Sequence, residues 1–379
     1  MNFFKNVFAT VVGIFLFMLL SFFLLIGLGV LLGSGEDKVK LKDNSVIQLD
    51  LAKINFDYAG KYETDSPFSS LMMSKDKVGF IEVLKAIDAA KTDDKIKGIT
   101  LVNNQSGLGL AQSKELRDKL EDFKKSKKFV YAYANIFSQK EYYISSIADQ
   151  VYLNPAGEVD FKGLGTEMLF FKNFQDQTGL KMEIIRHGKF KSAVEPYLAQ
   201  EISPENREQV TVLLQSVWKT IVTDIAKNRN ISVAQLNTIA DGLLARTPQM
   251  ALQQKLVDKV AYVDEFDAML KSKLKVEKDE DVESISIADY VNHSSSKSED
   301  FSKDDIIAVI YAQGQINGGE GDVDYIGEGS INRSLKEARE DDDVKAIVLR
   351  VDSPGGSALV SELIWREIEL TKKVKPVVV

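Results

Sequence analysis

Apolar residues along this chain follow two alternating patterns. Short runs rich in β-branched residues, such as VKAIVLRV at 344–351, predict buried strands. They alternate with stretches whose apolar residues recur at helical spacing, as Leu359, Leu363 and Ile368 do within 358–372. Because alternating strands and helices are typical of βαβ units, the chain is predicted to be an α/β protein built on parallel sheets.

The segment 7–32 departs from this alternation, because it is almost wholly apolar and contains no charged residue. At about 1.5 Å per residue, a helix of this length can cross a hydrocarbon layer of about 30 Å with some tilt. No Ala-x-Ala cleavage site follows it, so we expect an uncleaved single-span membrane anchor. Lys5 precedes the span, whereas Lys38, Lys40 and Lys42 follow it, a count that weakly favours a body on the inner side.

Two distant parts of the chain share one pattern. The segments IDAAKTDDKIKGITL at 87–101 and LKEAREDDDVKAIVL at 335–349 each read as a helix, an acidic turn and a strand. They align without a gap and are identical at Ala90/Ala338, Asp93/Asp341, Asp94/Asp342, Lys97/Lys345, Ile99/Ile347 and Leu101/Leu349. A similar apolar strand precedes each segment and another follows it, so the sequence predicts an internal duplication.

The duplication predicts the order of domains along the chain. A first repeat at 43–281 is followed by a polar surface linker at 282–305 and by a second repeat at 306–379. The second repeat stops on three valines inside a predicted strand, so we expect it to be truncated and the chain to be a fragment. When the repeats are aligned, Gly109 lies opposite Ser357.

Composition narrows the possible functions. The chain has 379 residues, of which 44% are hydrophobic, enough for sizeable cores. Its net charge of -8 argues against a nucleic-acid partner. It has no cysteine, which excludes a disulfide framework, a thiol nucleophile and a thiolate metal site.

The most informative motif is DSPGGS at 352–357, which lies between a predicted strand and a predicted helix. Gly355 and Gly356 allow the backbone to approach a ligand closely, and the first turn of a helix has free N–H groups. Ser357 therefore stands where a nucleophile could lie beside donors for a developing oxyanion. The alternative is a tight turn in which Ser357 only caps the helix.

A serine nucleophile needs a base, and the residues alone leave several candidates. His293 lies in the predicted linker and is set aside, whereas His187, Lys189 and Lys191 lie together in IIRHGKFKSAVEP. A lysine can act only in its neutral form, and lowering its pKa from about 10.4 to about 7 requires roughly 4–5 kcal/mol of differential interaction. Phe190 could supply part of the apolar surroundings that this requires.

Four segments resemble the signal peptide peptidase A family, in its long bacterial form with tandem domains. They are GKFKSAVEPYLAQEISPENREQ at 188–209, RVDSPGGSALVSE at 350–362, ADQVYLNPAGEVDFKGLG at 148–165 and ALQQKLVDKVAYVDE at 251–265. The resemblance implies tandem Clp-protease/crotonase-like repeats and one N-terminal span in the bacterial inner membrane. It also implies an extracytoplasmic catalytic body, assembled as a homotetramer, that degrades cleaved signal peptides and other unfolded hydrophobic peptides.

The same resemblance implies a Ser-Lys dyad that needs no metal or other cofactor. It assigns Lys191 of the first repeat as general base and Ser357 of the second as nucleophile, with backbone N–H groups near Gly355 and Gly356 as oxyanion donors. The family continues beyond the position of Val379 with a Gly- and Ser-rich segment. Two other functions stay open: a non-enzymatic oligomeric membrane scaffold, and a crotonase-type acyl-CoA enzyme of the same fold.

Overall fold

The structure is a computed structural model. It describes residues 2–33, 41–54, 57, 78–102, 105–186, 188–298, 305–322 and 324–379. The chain divides into two compact units, Met1–Leu41 and Lys42–Val379. The first unit contains helix α1, Asn2–Gly33. By length and composition its part Phe3–Leu24 could cross a membrane, which fits the single-pass anchor predicted from the sequence.

The second unit begins with the first repeat, whose sheet has six strands in the order β5-β4-β3-β2-β1-β6. All the pairings in this sheet are parallel. The strands are β1 Ser45–Asp50, β2 Ile96–Val102, β3 Phe129–Phe137, β4 Gln150–Val159, β5 Lys259–Val260 and β6 Ser284–Ser286. The helices are α2 Phe80–Thr92, α3 Leu110–Lys124, α4 Gln139–Ser145, α5 Lys172–Thr178, α6 Glu195–Leu198, α7 Pro204–Arg229, α8 Val233–Asp241, α9 Pro248–Gln253, α10 Val263–Leu274 and α11 Ile287–Ser298.

Both faces of the first sheet are covered. On one face, Val46 of β1 belongs to a buried cluster with aromatic residues of β3 and β4 and with Phe266, Leu270 and Leu274 of α10. Because successive strand side chains point to opposite faces, Ile47 lies on the other face, where it is also fully buried. Burial on both faces explains why apolar residues are consecutive here, as at Val46 and Ile47, rather than alternating with polar ones.

The structure differs from the prediction of a surface linker at 282–305. Strand β6 pairs with β1 at the edge of the first sheet, and α11 follows it directly. The buried residues Ile285, Ile287 and Tyr290 explain the difference, because they attach this polar segment to the core. Residues 299–304 lie outside the described residues.

The second repeat forms a three-stranded parallel sheet in the order β11-β10-β7, with a separate two-stranded ribbon β8-β9. Its elements are β7 Ile306–Gln313, β8 Gln315–Ile316, β9 Tyr325–Ile326, α12 Glu328–Glu340, β10 Val344–Asp352, α13 Ala358–Thr371 and β11 Val377–Val378. Its core lies between this sheet and helices α12 and α13.

Detailed contacts recur in the two repeats. In the first, Lys128 Nζ donates hydrogen bonds to the carbonyl oxygens of Ala90 and Asp93. In the second, Lys375 Nζ donates to the carbonyls of the aligned residues, Ala338 and Asp341. The strand registers match as well, since Ile99 pairs with Val130 and Ile347 with Val377. The prediction of an α/β fold with tandem parallel sheets is therefore confirmed.

Candidate active site

The DSPGGS motif forms a tight turn between β10 and α13, and glycine is required at two of its positions. Gly355 has a φ of 103°, a region that side chains with a Cβ rarely adopt. Gly356 lies against Ile316 of β8, where a Cβ would come within 2.1 Å of the Ile316 carbonyl oxygen. Two backbone hydrogen bonds, from Ile316 N to Gly355 O and from Ser357 N to Ile316 O, hold the turn on β8.

Ser357 is the N-cap of α13, as the alternative interpretation of the motif predicts. Its Oγ accepts a hydrogen bond from the Val360 N–H at 3.4 Å. This bond uses a lone pair of the hydroxyl oxygen and leaves the O–H proton free to donate. The capping role and a nucleophilic role are therefore chemically compatible at this position.

The backbone N–H groups of Gly355 and Gly356, the two candidate oxyanion donors, differ in whether they are already hydrogen-bonded. The Gly355 N–H donates to Ser353 Oγ at 3.1 Å and is already occupied. The Ser357 N–H is occupied as well, by the Ile316 carbonyl. Within the described part of the chain, the Gly356 N–H has no acceptor. Of these three N–H groups, Gly356 is the one that could bind an oxyanion without losing another hydrogen bond.

Lys191 lies in the first repeat, in the segment that precedes α6. Its side chain is exposed and borders a shallow pocket lined by residues 185–186 and 190–194. Phe190, expected to help bury it, is itself 58% exposed. Among the described residues no hydrogen bond or ion pair joins the Lys191 amine to Ser357. The structure therefore does not bring the two predicted catalytic side chains together within one chain.

The contacts of two other candidate bases, Lys189 and His293, lie elsewhere in the described part of the chain. Lys189 is exposed and lies 3.8 Å from the carboxylate of Glu205. His187 lies outside the described residues. His293 belongs to helix α11, where its ring lies 6.1 Å from the ring of Tyr290. Within the described ranges, no group of His, Asp or Glu residues is placed to hold a metal ion.

Glu195 was not singled out from the sequence, although it belongs to the KSAVEP segment that carries Lys191. Its side chain is buried, 3% exposed, and Oε2 accepts a hydrogen bond from Asn206 Nδ2 at 2.6 Å. Burial alone would raise the pKa of this carboxyl, but hydrogen bonds from Ser203 and Asn206 outweigh burial and lower it. Because Ser203 caps α7, the charged carboxylate ties the Lys191 segment to the start of that long helix.

Sequence comparison shows that part of the chain is similar to known peptidases. Residues 122–277 match the model of Peptidase family S49, so the chain contains a domain of this family. It is 36% identical over 312 residues to protease 4 of Haemophilus influenzae, covering 80% of this chain and 51% of that protein. It is 34% identical over 308 residues to protease 4 of Salmonella typhi, covering 79% and 49%.

A plant relative extends this comparison. The chain is 32% identical over 299 residues to the chloroplastic serine protease SPPA of Arabidopsis thaliana, covering 76% of this chain and 43% of that protein. These matches confirm the resemblance to the signal peptide peptidase A family. The chain spans about half the length of the curated relatives it matches.

Two solved structures show a slight similarity. A membrane-bound stomatin-specific protease aligns with a TM-score of 0.34 and 11% identity, over 64% of this chain and 97% of that one. An enoyl-CoA hydratase from Geobacillus kaustophilus aligns with a TM-score of 0.30 and 12% identity, over 52% and 63%. Scores this low carry no argument about this chain.

Proposed function

We propose that the chain functions as a membrane-anchored serine endopeptidase that degrades cleaved signal peptides and other unfolded hydrophobic peptides. The observation that carries the proposal is the DSPGGS turn, which has the Ser357 hydroxyl next to an N–H with no acceptor among the described residues. The chain also matches the model of Peptidase family S49. No cofactor takes part in the proposed reaction.

The proposed mechanism uses a Ser-Lys dyad. The neutral amine of Lys191 removes the hydroxyl proton as Ser357 Oγ attacks the peptide carbonyl carbon. The Gly356 N–H and the free N–H groups at the start of α13 stabilise the oxyanion. The lysine gives its proton to the leaving amine, and it then activates a water that hydrolyses the acyl-enzyme.

We propose that the dyad is completed between subunits of a homo-oligomer, with a tetramer as the expected size. The support is the number of exposed large apolar side chains in the part of the chain that carries Lys191, because such exposure is typical of interaction surfaces. Within 169–213, the following large apolar side chains are at least half exposed: Leu169, Phe174, Leu180, Met182, Ile185, Phe190, Val212 and Leu213. Contact with a neighbouring subunit would bury these groups and could supply the apolar surroundings that a neutral lysine requires.

We place the anchor in the bacterial inner membrane, with the catalytic body on the extracytoplasmic side. Helix α1 supports a single span, and the family resemblance supports the side. The count of flanking lysines favours the opposite side, but large domains translocate largely regardless of such charges. Protease protection in spheroplasts tests this: the body should be cut by added protease, and a body that stays protected refutes the assignment.

The dyad is tested in the intact membrane protein with a synthetic signal peptide as substrate. Lys191→Met removes the amine and nearly keeps the side-chain volume, and Ser357→Ala removes the hydroxyl; each should abolish cleavage. Lys189→Met is the matched control, because it removes a neighbouring exposed lysine, and it should retain activity. Near wild-type cleavage by either dyad variant would falsify the assignment.

A fluorophosphonate probe gives an independent measurement of the nucleophile. It should label the wild-type protein and not Ser357→Ala. Labelling that persists in Ser357→Ala would place the nucleophile on another serine. A wild-type protein that neither labels nor cleaves, yet forms a ring, would favour a non-enzymatic scaffold, the alternative suggested by the exposure of Lys191.

A further inference from the structure

The two repeats meet at Asp57, a residue far from both predicted catalytic positions in sequence. Its side chain is 4% exposed, and its carboxylate accepts three hydrogen bonds. Arg350 of β10 donates two of them, from Nε to Oδ2 at 2.6 Å and from Nη2 to Oδ1 at 3.3 Å. Gln112 of α3 donates the third, from Nε2 to Oδ1 at 2.7 Å. One buried carboxylate thus binds both repeats.

The main chain of Asp57 is held from both sides as well. Its N–H donates to Oε1 of Gln313, at the end of β7, at 3.2 Å. Its carbonyl oxygen accepts from the N–H of Ile81, in the first turn of α2, at 2.9 Å. Since β7 and α2 belong to different repeats, the position of Asp57 is fixed by the two repeats together.

Arg350 is the contact that reaches the candidate active site. It lies two residues before Asp352, where β10 ends and the DSPGGS turn begins. Its guanidinium binds Asp57 through two nitrogens and lies 3.5 Å from a carboxylate oxygen of Glu115 on α3. A planar guanidinium with two hydrogen bonds to one carboxylate fixes the relative orientation of the two groups as well as their distance. A lysine at this position could not fix the orientation.

We propose that Asp57 is a positioning residue that docks the second repeat on the first and thereby orients the turn that carries Ser357. The docking itself does not depend on the proposed peptidase activity. Its consequence for catalysis rests on that proposed function, because the dyad takes one residue from each repeat. Asp57 is 4% exposed, so a substitution of Arg350 leaves a buried carboxylate uncompensated. Arg350 is 34% exposed and keeps Glu115 as a partner, so a substitution of Asp57 removes the docking contact without burying a lone charge.

Hydrogen exchange tests the docking in the full chain without reference to activity. In Asp57→Asn, amides of the DSPGGS turn and the ends of β7 and β10 should exchange about tenfold faster, while those of β2 to β4 keep their wild-type rates. Arg350→Lys keeps the charge but loses the fork, and it should show a weaker effect in the same places. The matched control is the exposed pair of Arg333 and Glu320, where Arg333→Lys should change nothing near the turn.

Two outcomes would overturn the proposal. One is unchanged exchange at the turn in Asp57→Asn; the other is an increase spread evenly over both repeats, which indicates general destabilisation. If Asp57→Asn does not fold, Gln112→Ala removes one neutral bond to the same carboxylate and should give the local pattern in milder form. Failure of that local pattern would equally refute the docking role.

Kinetics separate positioning from catalysis in a protein that cleaves peptides. Asp57→Asn should lower kcat with little change in KM, and Arg350→Lys should retain more activity than Arg350→Met. Equal loss in the two Arg350 variants would contradict a positioning role. If the wild type cleaves no peptide, the hydrogen-exchange pattern still tests whether Asp57 docks the two repeats. The docking proposal and the proposed peptidase function can therefore be refuted independently.

Discussion

Replacing Glu195 should weaken the body of the protein in a way that depends on pH. Glu195 is buried in the segment that carries Lys191, and it binds Asn206 in the first turn of α7. Hydrogen bonds to a charged group contribute about 1.5–3 kcal/mol each to stability. Glu195→Gln keeps the size and one acceptor but loses the charge, so we expect a loss of about 1–2 kcal/mol.

Glu195→Ala should be more severe. It also removes the carboxylate acceptor of the Asn206 side-chain amide, which is 2% exposed, and leaves Met168 Sδ at 3.7 Å as a weak acceptor. A buried amide without a strong acceptor costs about 1–3 kcal/mol, and the lost side chain leaves a cavity, so we expect a total of about 3 kcal/mol. The free energy of unfolding should therefore be lowest for Glu195→Ala, intermediate for Glu195→Gln and highest for the wild type.

The pH dependence follows from the lowered pKa of this carboxyl. The folded state keeps Glu195 charged at a pH where the unfolded chain, with a pKa near 4.5, already binds a proton. The stabilisation is therefore complete above the unfolded value and is lost as the pH falls through the folded value. The difference between wild type and Glu195→Gln should be full at pH 7 and should shrink below about pH 4.5.

Urea unfolding at pH 7 and at pH 4 measures both the loss of stability in the Glu195 variants and its dependence on pH. Glu208→Gln, an exposed change on the same helix, is the control and should match the wild type at both values. The reasoning is refuted if Glu195→Gln is as stable as the wild type at pH 7. It is also refuted if the two proteins lose stability in parallel between pH 7 and pH 4.

Three further predictions concern the repeats and the turn. Lys128→Met and Lys375→Met should each lower the free energy of unfolding in urea by about 2 kcal/mol, because each lysine donates to two carbonyl oxygens. If either variant were as stable as the wild type, the contact that the two repeats share would not contribute equally to their stability. Gly356→Ala should lower the melting temperature and cost about 3 kcal/mol, because its Cβ would collide with the carbonyl of Ile316; unchanged melting would contradict that contact. Ser357→Ala should destabilise α13 by about 1 kcal/mol while Ser357→Asp preserves the cap, and equal stability of the two variants in urea would refute the capping role.

Much of the second repeat could be predicted from local pattern. The apolar run 344–351 was expected as a strand and forms Val344–Asp352, and the helical spacing over 358–372 corresponds to Ala358–Thr371. The alignment of 87–101 with 335–349 predicted an internal duplication, and the matching strand registers of the two sheets agree with it. These features are set by residues close together in sequence, so pattern alone is sufficient.

The predictions that did not hold depend on contacts between distant residues. The polar composition of 282–305 concealed β6, whose Ile285 is buried only because β1 lies beside it. Phe190 was expected to contribute to the burial of Lys191, but both side chains are exposed in the described structure. No local sequence pattern indicated a role for Asp57, because its partner Arg350 is 293 positions away.

Hydrogen bonds connect the aligned turns of the two repeats. Where the second repeat has Ser357, the first has Gly109, whose N–H donates to Gln112 Oε1 at 2.8 Å. The other end of the same Gln112 amide donates to Asp57, which in turn binds Arg350 of the second repeat. The first turn is therefore the start of a chain of hydrogen bonds that leads to the strand preceding the second turn. We infer that the first turn helps to hold the second in place through this chain of hydrogen bonds.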